Sequence, residues 1–415
     1  MVDTLPIVVA VACVVVAGLV VAATRHTRAA AAAATGPLAL KTADLAVGDI
    51  LVGTSPLGGI VEELSDDEAE EVVERCVEVG FRHFDTAPHY GLGVAESRLG
   101  AGLRRGCAKL TRTRRAALKI LDEEVRVWTK VGRVIKTKDT VAAGDVVEAD
   151  NLPGSSTTIY LRVDLRGIHI FNPTSIPWAA SARASSSRAS GATTRVAGLE
   201  AAALAGSLPG LAAVRAAATK RPAPAGAETP GAKKRRGDAG AAGAAAAELS
   251  VGLNDAAVAL RILDATNPTR GDGAGGPPAL DSVMLAGRWH LLDQTGAPVL
   301  AACAARGVRV EIAGAYASGL LAGGPNYEYK PATPAHVARR DAWAALAADH
   351  GVSLKAAALK FAFLPAAVSK VALGLASTAF VDETVDIIAE ANAVPAALWK
   401  DAVARGLLAP DLLAL

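Results

Sequence analysis

Asp85 and Tyr90 in FRHFDTAPHYGLGVAE, Lys130 in VWTK and His169 in GIHIF are residues whose types could share proton chemistry. A buried carboxylate holds a nearby ammonium charged, and an ammonium beside a phenol favours the phenolate. Such a group is tuned to take or give a proton, and an imidazole could orient a substrate oxygen or share that proton. Each residue also has a plain alternative. Tyr90 could be a rim tyrosine, Lys130 a surface lysine and His169 a packed strand histidine, and they act together only if the fold gathers several strand ends at one mouth. His83 and His89 read as bystanders. The same stretch offers a G-x-G in GLGVAE, but a dinucleotide loop asks for a third Gly or Ala where Glu96 stands, so that reading is weak.

The elements that must position these residues follow from the apolar runs. DILVGT (Asp49–Thr54), FRHF (Phe81–Phe84), RVWTK (Arg126–Lys130) and LRGIHIF (Leu165–Phe171) read as strands. So do ELSVGL (Glu248–Leu253), SVMLA (Ser282–Ala286), VRVEIA (Val308–Ala313) and KVAL (Lys370–Leu373). Ser65 and Glu68 form a capping-box signature, and Ala69, Val72, Val73, Cys76 and Val77 then recur at helical spacing up to Gly80. Strands alternating with helices predict an α/β fold, a (β/α)8 TIM barrel over residues 37–415, in a chain longer than the usual ~250 residues. The excess lies in two places. Residues 221–247 are Gly/Ala/Pro-rich, carry Lys233, Lys234, Arg235 and Arg236, and read as a disordered insert. Residues 172–200 have the composition of a linker.

Composition narrows the partners. Lys plus Arg total 43 against 41 Asp plus Glu, so no global charge excess argues for nucleic acid. The basic tetrad could be a nuclear signal or a nucleic-acid patch, but reads best as a solvated loop. Cys13, Cys76, Cys107 and Cys303 are far apart and form no C-x-x-C pair, which disfavours a disulfide framework or a zinc site. Residues 1–36 read as a separate segment: LPIVVAVACVVVAGLVVAA, Leu5–Ala23, is about long enough to span a bilayer as a helix. Arg25, His26 and Arg28 follow it, so a membrane anchor there would leave the barrel facing the cytosol. The alternative is a targeting segment whose removal leaves a soluble protein in the cytosol or an organelle.

GFRHFDTAPHYGLGVAESRLG resembles the signature of the aldo-keto reductase family, and VWTK and VDLRGIHIFNP resemble that family's lysine and histidine strands. LAGRWHLLDQ, ASGLLAGGPNYEYKPATP and AALKFAF are similar to its branch of aldose and pyridoxal dehydrogenases. The resemblance covers about Leu38 to Asp150 and Ala201 to Glu390, except for the insert. Between Asn151 and Glu200 it is poor, and the helix expected between the lysine and histidine strands is missing. The resemblance implies metal-free hydride transfer between nicotinamide and a sugar or pyridoxal-like small molecule. Tyr90 would exchange the proton, with Asp85 and Lys130 tuning it and His169 positioning the hydroxyl. Gly53, Thr54, Asn254, Ser318, Gly374, Ser377 and Glu383 fall where the family lines the dinucleotide. Leu375 and Phe380 stand where NADP-preferring members place Lys and Arg, which implies NAD over NADP. Ala286 and Ala313 depart from the family's glutamine and stacking aromatic, with Tyr316 near the latter.

Overall fold

The computed structural model describes residues 36–59, 63–131, 248–267 and 279–414, together with the backbone of a strand at Ile159–Asp164. The fold is α/β, a mostly parallel sheet with helices around it. Its strands are β1 (Ile50–Gly53), β2 (His83–Asp85), β3 (Arg126–Val131), β4 (Ile159–Asp164), β5 (Leu249–Leu253), β6 (Ser282–Ala286) and β7 (Arg309–Ala313). A short ribbon, β8 (Asn326–Tyr327) with β9 (Lys330–Pro331), precedes β10 (Val368–Gly374). The hydrogen-bonded order β1-β10-β7-β6-β5-β4-β3-β2 returns on itself.

Between the strands run α1 (Asp66–Glu78), α2 (Val94–Lys109), α3 (Arg114–Glu123), α4 (Ala256–Thr266) and α5 (Ala297–Arg306). α6 (Pro334–Asp349), α7 (Leu354–Phe363), α8 (Thr378–Asn392) and α9 (Ala396–Ala404) complete the described set. The capping box reads as expected: Ser65 Oγ accepts the Glu68 N–H, and the Glu68 carboxylate accepts the Ser65 N–H at 2.8 Å. Behind it Ala69, Val72, Val73, Cys76 and Val77 bury the stripe that their spacing marked.

The fourth described strand departs from the (β/α)8 expectation in direction. The described strand here is IYLRVD, Ile159–Asp164, whereas LRGIHIF, Leu165–Phe171, lies outside the described residues. β4 is antiparallel to both β3 and β5, while the neighbouring pairs elsewhere in the ring are parallel. It therefore runs away from the end where β2 and β3 deliver Asp85 and Lys130. β2 is also shifted, from Phe81–Phe84 to His83–Asp85, which puts Asp85 inside the strand.

Two buried clusters sort the strand residues. The larger lies between sheet and helices, and the smaller joins Leu51, Trp128 and Met284 with Ala313 and Ala372 against it. Strand residues alternate between faces, so the members of the smaller cluster share the side opposite the helices. Two residues further along their strands come Gly53, Lys130, Ala286 and Gly374, which places these at one mouth.

The membrane expectation is corrected. Among the described residues no helix is long and apolar enough to cross a membrane, so membrane attachment through residues 5–23 is not carried forward. Residues 5–23 themselves lie outside the described residues, as do the linker-like stretch 172–200 and the insert 221–247.

Candidate active site

β2 and β3 are paired in parallel, Asp85 opposite Trp128. Asp85 is fixed through its backbone: its carbonyl accepts the Thr54 N–H at 2.9 Å and the Thr54 hydroxyl at 3.1 Å. The Thr86 N–H donates to the Trp128 carbonyl at 2.8 Å, which joins the ends of β2 and β3. Lys130 then meets the Asp85 carboxylate at 2.5 Å and donates to the Thr86 carbonyl at 3.0 Å. Both side chains are buried, at 6% exposure for Lys130 and 4% for Asp85. An ammonium so enclosed keeps its charge only because carboxylate and carbonyl replace its lost water.

Tyr90 reaches this pair from a tight turn. Its N–H donates to Ala87 at 3.1 Å, and its ring lies half-buried with Lys130 Nζ 4.7 Å from the centroid. The turn is held by a backbone-to-backbone approach: a Cβ on Gly58 would fall 2.6 Å from the Tyr90 carbonyl carbon. No residue but glycine has room there. The structure thus brings Asp85, Tyr90 and Lys130 together. His83 and His89 stay outside the trio. His89 is exposed, and burial lowers the His83 imidazole to about 3, neutral beside the Trp128 ring. His169 lies outside the described residues.

Sequence reasoning passed over Glu96 except as the residue that spoils a glycine motif. Its carboxylate accepts the Thr129 hydroxyl at 2.6 Å, next to Lys130. Burial raises the Glu96 carboxyl, while the Thr129 hydrogen bond and the charge of Lys130 pull it down. The signal was present as a threonine directly before the lysine, but only the packing of α2 on β3 joins the two.

The expected cofactor residues occupy two places. Gly53 and Gly374 are in register on β1 and β10 at the mouth, and a Cβ at Gly374 would come 3.3 Å from the Pro56 ring. Thr54 is buried and engaged with Asp85, as above. Asn254 directly follows β5, and its carbonyl accepts Arg288 Nε at 2.8 Å. The same guanidinium meets Asp293 at 3.0 Å and Glu328 at 2.8 Å, tying loops after β5, β6 and β7 together. Ser318 sits in the turn after β7 with φ 57°, a left-handed conformation uncommon for serine.

Ser377 caps α8 by accepting the Phe380 N–H at 3.2 Å. Glu383, two turns on, lines a cleft of about 750 Å³ between the turn after β7, α7 and α8, and there forms an ion pair with Lys355. The Tyr316 hydroxyl is buried with no hydrogen-bond partner among the described residues. Burial, and then the charges of Glu383 and Glu390, push its phenol well up.

A sequence model described as "Aldo/keto reductase family" matches residues 49–150, the segment that carries Asp85, Tyr90 and Lys130. The chain is 29% identical over 376 residues to D-threo-aldose 1-dehydrogenase of a Pseudomonas species, across 88% of this chain and 95% of that protein. It is 33% identical over 95 residues to L-galactose dehydrogenase of Arabidopsis thaliana, 23% of this chain and 26% of the relative. Against pyridoxal 4-dehydrogenase of Microbacterium luteolum the figures are 34% over 97 residues, 23% of this chain and 24% of that one. The matched segment carries the Asp–Tyr–Lys trio, and the longest match runs nearly end to end, so the chain is similar to the aldo-keto reductase family near its aldose, L-galactose and pyridoxal dehydrogenases.

Proposed function

We propose that this protein is an NAD(P)-dependent oxidoreductase that oxidises C1 of an aldose of the L-fucose, L-galactose or D-arabinose type, or a related hydroxyl or aldehyde on a pyridoxal-like molecule. The observation that carries this reading is the buried Asp85–Lys130 pair at 2.5 Å, with Lys130 over the Tyr90 ring at 4.7 Å. The names of the relatives, an aldose, an L-galactose and a pyridoxal dehydrogenase, supply the substrate classes. The scaffold is read as a TIM-type barrel with one irregular strand.

Tyr90 takes the proton of the anomeric hydroxyl. The C–H electron pair leaves with its hydrogen as hydride, and the new C=O bond makes the lactone. Lys130 opposes the negative charge of the phenolate, and Asp85 holds Lys130 charged and in place. Proton transfer of this kind contributes about 10² to 10⁴ in rate. His169 is assigned the positioning of the hydroxyl by the family resemblance alone.

A nicotinamide cofactor supplies the hydride acceptor. The chain has the features to hold one: the side-chain-free floor of Gly53 and Gly374, and the cleft lined by Glu383. Asn254 is assigned to the nicotinamide carboxamide, Gly53, Thr54 and Ser318 to the dinucleotide lining, and Gly374, Ser377 and Glu383 to the adenosine side. NAD is favoured over NADP because Leu375 and Phe380 stand where NADP-preferring members place Lys and Arg, and Lys355 in the cleft is engaged by Glu383.

The test is a screen of the full chain on L-fucose, L-galactose, D-arabinose and pyridoxal with NAD and NADP, repeated with Tyr90→Phe. Turnover with the parent and a loss of at least about a hundredfold in the variant are expected. Equal rates would remove Tyr90 from the chemistry.

A second reading is a catalytically impaired barrel that serves as a binding or regulatory subunit. It is favoured by β4, which runs antiparallel to both neighbours where an active-site strand should deliver the fourth residue. Cofactor binding without turnover on any of these substrates would decide for it.

A further inference from the structure

Asn254 stands between two elements and belongs to neither. β5 ends at Leu253, and α4 starts behind Asp255, whose side chain accepts the Val258 N–H at 3.0 Å and whose carbonyl accepts the Ala259 N–H at 3.0 Å. Regular helix bonding thus begins one residue too late to fix the Asn254 carbonyl. Arg288 fixes it instead, its Nε donating at 2.8 Å. That guanidinium has a firm base: the Arg288 carbonyl accepts the Gly296 N–H at 2.7 Å, and a Cβ on Gly296 would fall 2.6 Å from the same carbonyl oxygen. A glycine closes the loop after β6 and leaves the Arg288 backbone little freedom.

Two carboxylates aim the guanidinium fork. Asp293 meets Nη1 at 3.0 Å, and its other oxygen accepts the Thr295 N–H at 2.8 Å and the Thr295 hydroxyl, so this carboxylate is held in place. Glu328 meets the same Nη1 at 2.8 Å from the β8–β9 ribbon. There Tyr327 pairs with Lys330, which leaves Glu328 and Tyr329 as a two-residue turn with φ 47° and 62°. Such turns favour Asn and Gly, because a Cβ resists the left-handed region, and other residues persist there only when their surroundings hold them. The ion pair with Arg288 supplies such a hold on Glu328.

We propose that Arg288 is a positioning residue for the nicotinamide end of the cofactor: it fixes the backbone from which Asn254 presents its amide, and Glu328 in the ribbon helps to aim it. This rests on the reading of Asn254 as the partner of the nicotinamide carboxamide. One amide recognises another through directional hydrogen bonds, so a backbone free to swing misplaces donor and acceptor together. The cleft assigned to adenosine is lined instead by Gly323, Lys355, Glu383 and Glu390, among others. Loosening Arg288 should therefore weaken what the nicotinamide half adds to binding and spare the other half.

The experiment titrates the full chain by calorimetry with NADH and with ADP-ribose, which lacks the nicotinamide, for the parent, Arg288→Gln and Glu328→Gln. Arg288→Gln should bind NADH about tenfold more weakly and ADP-ribose within about twofold of the parent. With Asn254→Ala already present, Arg288→Gln should cost NADH no more than about another twofold, because the group that it positions is gone. An equal loss for both ligands, no loss for either, or additive losses with Asn254→Ala overturns the proposal and leaves Arg288 a tie between loops. If Arg288→Gln does not fold, Glu328→Gln, at a side chain that is 43% exposed, must show a smaller loss confined to NADH, and none overturns the proposal. A parent that binds neither ligand would instead sink the nicotinamide reading itself, so the two failures are distinguishable.

Discussion

Gly91 meets Gly58 backbone to backbone: a Cβ on Gly91 would fall 2.5 Å from the Gly58 carbonyl oxygen, and Gly91 itself has φ 62°. This contact seats the turn that carries Tyr90. A side chain at Gly91 would clash with backbone, which cannot swing aside as a side-chain tip can, and would strain a left-handed residue as well. Gly91→Ala should therefore cost about 1–3 kcal/mol in urea unfolding and lower kcat/KM at least about tenfold by displacing Tyr90. A full-rate, fully stable variant would show that the approach is not needed.

The Asp85–Lys130 pair predicts non-additive stability. Removing one partner leaves a buried, unpaired charge, so Lys130→Met or Asp85→Asn alone should destabilise by about 3–5 kcal/mol. The double variant should lose less than the sum, because neither charge is then stranded. Additive losses in a double-mutant cycle measured by denaturant unfolding would contradict a coupled pair.

Acid sensitivity should come in part from His290, which is 2% exposed and whose imidazole burial lowers to about 4. The unfolded chain binds that proton near pH 6.5 and the folded one only near 4. The contribution is therefore fully present above about 6.5 and is lost as pH falls toward about 4, on the order of 3 kcal/mol in all. His290→Asn should flatten the stability curve over that window. An unchanged slope between pH 6.5 and 4 would mean that the imidazole is charged in the fold.

Cofactor choice should turn on Glu383. Its carboxylate pairs with Lys355 in the cleft, so that cation is not free to meet a 2′-phosphate. Glu383→Gln should raise the NADP-to-NAD ratio of kcat/KM about tenfold, equivalent to about 1.4 kcal/mol. No change in that ratio would place the adenosine ribose elsewhere.

Most strands and the residues of the trio are legible in the sequence. Buried strands announce themselves as short apolar runs, so SVMLA is β6 to the residue and RVWTK is β3 but for one valine. The motif around Asp85 and Tyr90 is local, because a strand end and its following turn occupy one stretch of chain. Fourth-strand placement was not legible. The strand at Ile159–Asp164 and its direction follow from its antiparallel pairing with β3 and β5, a contact between distant segments that the local pattern of IYLRVD does not specify.

By itself the sequence determined which residues could be strands, which helix face is apolar, and that an aspartate, a tyrosine and a lysine stood where strand ends would carry them. Only the tertiary structure decided that Glu96 leans on Thr129 beside Lys130, that Gly58 admits Gly91, and that Lys355 meets Glu383. The reason is physical. Periodicity and capping are written in neighbouring residues, whereas these contacts join positions 28 to 33 residues apart, and their geometry exists only once strands have paired and helices have packed on them.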